Sequence, residues 1–168
     1  MKSHRGFVDV ESKLGVGTTF NLYFPLEVEQ LEATKTGIDA KEDIIGGTET
    51  ILILEDEEML QELLKTMLEI NGYRVVTASD GEEGIEVYRK NQKEIAVVLS
   101  DLGLPKLGGF EAFLKMKEIN PAIKTVIASG YFEPAQKVDM LKADIKDFVQ
   151  KPYKPSEVLK ILREVLDR

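Results

Sequence analysis

The chain has 168 residues, 43% of them apolar, a net charge of −8 and no cysteine. That length and apolar content suit one ordinary domain plus something smaller, and the missing cysteine excludes disulfides and thiolate metal sites. Residues 1–49 carry 5 basic and 9 acidic groups and residues 50–168 carry 17 and 21, so there is no basic patch, and neither nucleic acid nor a membrane surface is expected as a direct partner.

Residues 6–26 read as two strands, Phe7–Ser12 and Thr18–Phe24, joined by Lys13-Leu14-Gly15-Val16-Gly17. Phe20, Leu22 and Phe24 alternate with Thr19, Asn21 and Tyr23, a period-2 signal that Pro25 stops. Residues 27–48 are acidic and aperiodic, and they close in Gly46-Gly47-Thr48, as a linker does. A short helix near Leu26–Leu31 is compatible with that composition.

From Glu49 onward the patterns alternate strictly. Strand 50–54 precedes a helix whose Leu60, Leu63, Leu64, Met67 and Leu68 follow helical spacing, and Asn71-Gly72 ends it. Strand 73–77 leads to a helix opened by Ser79, with Glu82 at the spacing of a capping box. Strand 95–99 is unbroken apolar sequence, as in a strand covered on both faces. Helix 109–118 stops before Pro121, and strand 124–128, helix 134–142, strand 146–149 and helix 156–167 complete the series. Five such units with short connections predict an α/β fold: a doubly wound five-stranded parallel sheet with helices on both faces.

Four of the strands end abruptly in polar groups: Glu55-Asp56-Glu57 after 51–54, Asp101 after 97–99, Ser129 after 126–128 and Lys151 after 148–149. Open parallel sheets bind ligands just beyond the carboxyl ends of their strands. Carboxylates, a hydroxyl and an ammonium gathered there suit a divalent metal held beside a phosphoryl group. These residues, with the segment Asp101-Leu102-Gly103-Leu104-Pro105-Lys106-Leu107-Gly108-Gly109-Phe110, Ser129-Gly130 and Lys151-Pro152 in order, make residues 49–168 resemble a receiver domain of two-component signalling.

The resemblance implies a flavodoxin-like strand order 2-1-3-4-5 and a role for each residue. Asp101 becomes the phosphoacceptor, attacking the phosphorus of a phosphohistidine to form an acyl phosphate. The implied cofactor is Mg²⁺, ligated by Asp56, Asp101 and the backbone carbonyl of Gly103, with Glu55 acting through a bound water; receivers more often carry aspartate at position 55. Lys151 supplies a point charge for the phosphoryl oxygens and Ser129 donates a hydroxyl. Ser129 and Phe148 form the implied switch pair, the aromatic turning inward as the hydroxyl is drawn to the phosphoryl group. The implied partner is a histidine kinase or a histidine phosphotransfer protein; homodimerisation is compatible, and the expected location is the cytoplasm.

Each of these groups has a plainer explanation taken singly. The acidic run could be a solvated helix start, Ser129 a turn residue, Lys151 a surface lysine and Phe148 ordinary core. The acidic cluster, Asp101, Ser129 and Lys151 all standing at matched strand ends by coincidence is improbable. Haloacid-dehalogenase-like phosphatases also phosphorylate an aspartate at a strand end, but they place a second acid two residues on, where this chain has Gly103. A degenerate receiver serving only as an interaction module is the other alternative, and retention of all four site elements argues against it.

Residues 1–26 resemble the end of a histidine-kinase ATP-binding domain, through Phe7-Val8-Asp9-Val10-Glu11-Ser12 and Gly15-Val16-Gly17-Thr18-Thr19-Phe20. The glycine pair is similar to that family's last nucleotide-contacting box. The other nucleotide boxes are missing, and His4, the only histidine, lacks the helical setting of a phosphodonor. The expectation is therefore a hybrid sensor kinase's tail: a β-hairpin remnant at 1–26, a linker at 27–48 and a receiver at 49–168. Such a chain is not itself a competent kinase, and its parent kinase could be membrane-attached. With no output domain after Arg168, phosphorelay or regulation of an attached kinase is the expected output.

Overall fold

Two separate units make up the chain, and the computed structural model describes residues 7–23 and 46–168. The first unit contains an antiparallel hairpin of β1 (Phe7–Lys13) and β2 (Gly17–Tyr23). Gly15 and Gly17 take positive φ in its turn, which side chains resist. Pairing Val8 with Leu22 and Val10 with Phe20 collects four apolar side chains on one face, all exposed. The expected helix near Leu26–Leu31, Phe24 and His4 lie outside the described residues.

The second unit alternates as its sequence pattern requires. Its elements are β3 (Thr50–Leu54), α1 (Glu58–Ile70), β4 (Arg74–Ala78), α2 (Gly81–Asn91), β5 (Ile95–Asp101), α3 (Gly109–Ile119), β6 (Thr125–Ser129), α4 (Pro134–Lys142), β7 (Asp147–Gln150) and α5 (Pro155–Asp167). All five strands are parallel, in the order β4-β3-β5-β6-β7. Counting only these strands, that is the expected 2-1-3-4-5. The order reverses beside β3, opening the crevice where such sheets bind ligands, between the carboxyl ends of β3 and β5.

Strand periodicity divides the core in two. Ile51, Ile53, Val97, Leu99 and Val126 meet Leu64, Leu68, Val158 and Leu162 from α1 and α5. Leu52, Leu54, Val98 and Ile127 meet Ile85, Tyr88, Phe113, Met116 and Met140 from α2, α3 and α4. Burying each such side chain stabilises the fold by about 1.5–3 kcal/mol, and this holds the strand ends in place. One residue of the predicted α1 stripe departs from it. Leu63 is 59% exposed, pointing outward with Met59 and Ile70, while Leu64 and Leu68 carry the burial.

Caps refine the element boundaries. α1 ends as predicted: Gly72 at φ 91° donates to the Glu69 carbonyl and Tyr73 to that of Leu68, a Schellman arrangement. The cap of α2 falls one residue later than the sequence pattern suggests. Asp80, not Ser79, accepts the Glu83 N–H at 2.8 Å, and the Glu83 carboxylate reaches back to the Ser79 N–H and hydroxyl. Aspartate caps as well as serine does, so Ser79-Asp80 offered two adjacent starts.

Candidate functional site

β3 delivers Glu55 and Asp56 to the crevice, and side-chain hydrogen bonds from α1 hold the turn. The Gln61 amide donates to the carbonyls of Glu55 and Ala78, at 2.8 and 3.1 Å, tying the ends of β3 and β4 together. β5 delivers Asp101, and the ladder continues past it, with the Leu102 N–H bonding the Ala128 carbonyl at 2.9 Å. β7 delivers Lys151, whose N–H bonds the Ser129 carbonyl at 2.8 Å just before a cis bond to Pro152.

These strand ends converge. Carboxylate oxygens of Glu55, Asp56 and Asp101 all lie within 4.8 Å of one another. The Lys151 ammonium bridges two of them, 2.8 Å from Glu55 Oε2 and 3.1 Å from Asp101 Oδ2. One ammonium against three carboxylates leaves an excess of negative charge, and Glu55 is only 3% exposed. Burial pushes the Glu55 carboxyl up, against the pull of Lys151, and the Asp101 charge adds to the push. Burial alone would lower the Lys151 ammonium, but its hydrogen bonds to Glu55 and Asp101 outweigh that and hold it above its ordinary value. An oxygen-only donor set with uncompensated charge fits a hard divalent cation.

α3 closes on this site through a glycine. A Cβ on Gly109 would stand 2.0 Å from the Asp101 carbonyl and 2.5 Å from Ser100 Oγ, so only glycine lets the helix start so near the end of β5. Gly103 is exposed in the β5–α3 loop, and a Cβ there would meet nothing within 4 Å. Its side-chain position is free, leaving its backbone carbonyl as what it can offer.

Ser129 lies one residue past Ala128, the partner of Asp101 across β5 and β6. Its hydroxyl is engaged locally, donating to the Tyr131 carbonyl at 2.7 Å and accepting the Tyr131 N–H at 3.3 Å. Phe148 is half-buried, with Phe132 edge-on at 5.2 Å and the Lys137 ammonium 4.8 Å over its ring. The sequence pointed to Glu55, Asp56, Asp101 and Lys151, and these the fold gathers at one place. It gave no indication of Gln61, Phe132 or Lys137, whose roles depend on helices packing beside distant strand ends.

A model of the response regulator receiver domain matches residues 51–163, and the chain belongs to that family. Among relatives, the chemotaxis protein CheY of Thermotoga maritima is 31% identical over 116 residues, covering 68% of this chain and 95% of that protein. The sensor kinase CckA of Brucella abortus is 30% identical over 175 residues, covering all of this chain but only 18% of CckA. The sensor kinase/phosphatase LuxN of Vibrio harveyi aligns with 99% of the chain at 28% identity, again over only 21% of that protein. A receiver domain structure from Clostridium thermocellum superposes with a TM-score of 0.68 at 28% identity, covering 71% of this chain and 95% of that one. The chain is thus a response regulator receiver domain, homologous to CheY and consistent with a phosphoacceptor in two-component signalling. The haloacid-dehalogenase alternative finds no support in this membership.

Proposed function

We propose that Asp101 takes a phosphoryl group from a phosphohistidine, and that the observation carrying this is the convergence of Lys151 on Asp101 and Glu55. In this reaction the P–N bond breaks, its electron pair stays on the imidazole nitrogen, which takes up a proton, and an Asp101 Oδ–P bond forms. Lys151 lies 3.1 Å from Asp101 Oδ2, which supports the reading that its charge receives the oxygens of the incoming group. Ser129 would exchange its bond to the Tyr131 carbonyl for one to a phosphoryl oxygen, and Phe148 would repack against Phe132 in response. Such a switch shifts only by the phosphoryl group's differential affinity for the two arrangements.

Mg²⁺ is the cation proposed, with Asp56, Asp101 and the Gly103 carbonyl as ligands and Glu55 acting through water. When bound, it would neutralise charge on the transferring group. Residues 1–26 are proposed as the last hairpin of a kinase ATP-binding domain, 27–48 as a linker and 49–168 as the receiver. Supporting this, CckA and LuxN align with essentially the whole chain. The partner is then a histidine kinase or phosphotransfer protein, and the setting cytoplasmic; no helix among the described residues is long and apolar enough to cross a membrane. The test is incubation with acetyl phosphate and Mg²⁺, read by intact mass. Wild type should gain one phosphoryl group, and Asp101→Asn or chelation of Mg²⁺ should abolish the gain. An undiminished adduct in Asp101→Asn would defeat the proposal.

A further inference from the structure

Between Leu102, tied to β6 through the Ala128 carbonyl, and the start of α3, the loop 103–108 must turn sharply. It turns at Lys106. The Leu107 N–H reaches back to the Pro105 carbonyl at 2.7 Å, closing a three-residue turn with Lys106 at its centre and φ 60°. Three-residue turns with positive φ at the centre are rare and strained, and a side chain there makes the strain worse. Such strain persists only where surrounding structure over-determines it.

Here the surrounding structure is the N-terminus of α2. Lys106 Nζ stands 2.5 Å from Asp80 Oδ2, and the Asp80 side chain is only 7% exposed. Its other oxygen, Oδ1, accepts the Glu83 N–H. The Glu83 N–H, and after it Lys106, hold Asp80 below its ordinary value. Although the Lys106 side chain is itself 63% exposed, without it the Oδ2 of a buried carboxylate would lose this partner, a larger loss than an exposed pair makes. A second contact lies beside it: a Cβ on Gly81 would stand 2.2 Å from the Leu107 carbonyl, so the loop rests directly on the first turn of α2. Upstream, Leu104 is buried in the core on the α2–α3 side of the sheet.

We infer that the Lys106–Asp80 pair is a clip that positions the β5–α3 loop, so that the Gly103 carbonyl is held ready for the cation beside Asp101. Lys106 and Asp80 are positioning residues, acting through the loop backbone. This rests on the Mg²⁺ reading above and adds to it a determinant of metal affinity outside the strand-end cluster.

The experiment is an NMR titration of the ¹⁵N-labelled full chain with Mg²⁺, alongside metal-free thermal unfolding. Lys106→Met should weaken Mg²⁺ binding roughly tenfold, the lower end of the 10–100-fold typical when a supporting outer partner is lost. Asp80→Asn, which keeps a good helix cap, should weaken it equally, and the double variant no further. Lys106→Arg should recover most of the affinity. Lys106→Gly separates positioning from mere support: glycine accepts positive φ without strain, so metal-free stability should hold or rise while affinity still falls. Affinities within about twofold of wild type in Lys106→Met, Lys106→Gly and Asp80→Asn, against the tenfold expected, would overturn the clip alone. A wild-type chain that binds no Mg²⁺ would overturn the metal reading and the clip with it.

Discussion

Replacing Lys151 with methionine keeps the unbranched stem but for one atom and removes the only cation within reach of the Glu55 and Asp101 carboxylates in the described site. At an effective dielectric of about 20, contacts of 2.8 and 3.1 Å are each worth about 5–6 kcal/mol before desolvation. Desolvating the ammonium and the buried Glu55 offsets much of that. What remains is the cost of leaving a buried carboxylate unpaired, usually 3–5 kcal/mol. The Lys151 side chain is 21% exposed, so water can reach the gap, and the lower end, about 3 kcal/mol, is expected. Urea unfolding followed by circular dichroism, without divalent cations, measures it. The cost should depend on pH in a fixed direction. Glu55 keeps its proton to higher pH folded than unfolded, so that contribution to stability is complete below its ordinary 4.5 and is lost as pH rises through the folded value. Removing Lys151 raises the folded value further, so the variant's deficit grows with pH and is smaller at pH 5 than at pH 7. Glu55→Gln/Lys151→Met should recover about 1.5 kcal/mol, a coupling normal for contacting residues. A deficit below about 1 kcal/mol, the level of an exposed ion pair, or one that ignores pH, would refute the argument.

Gly109→Ala should cost about 1–3 kcal/mol in the same unfolding assay, because its Cβ would meet backbone at 2.0 Å. Gly103→Ala, with nothing within 4 Å of its Cβ, should stay within about 0.5 kcal/mol of wild type and retain Mg²⁺ binding. Ser129→Ala removes the hydroxyl bonded to the Tyr131 carbonyl and should leave Asp101 phosphorylation intact. In that variant the beryllofluoride-induced NMR shifts around Phe132, Lys137 and Phe148 should be largely lost, and a full response would show that the signal takes another route.

The fold was legible because its signals are local. Each strand is an apolar run and each helix a periodic stripe, and the strict alternation of the two leaves little choice of topology. The strand-end chemistry was legible for the same reason, since residues at or just past the carboxyl end of a parallel strand lie beside the crevice whichever helices cover it. What escaped were pairings set by helix placement. Lys106 and Asp80 are 26 residues apart, and neither stands at the end of an apolar run. Ser79-Asp80-Gly81 carries two capping residues in a row, and the bond from the Glu83 N–H to Asp80 shows which of them begins the helix. Leu63 fits the α1 stripe by spacing alone, yet Leu64 and Leu68 occupy the space between α1 and the sheet.

The central claim, that Asp101 is the phosphoacceptor, is tested most directly by locating the modified residue. The full chain would be phosphorylated with acetyl phosphate and Mg²⁺, reduced with borohydride to convert the acyl phosphate to an alcohol, digested and sequenced by mass spectrometry. Homoserine at position 101, absent without Mg²⁺, is the predicted result. Homoserine-type reduction at Asp56 with none at Asp101, or a phosphoryl group that resists borohydride, would contradict the account.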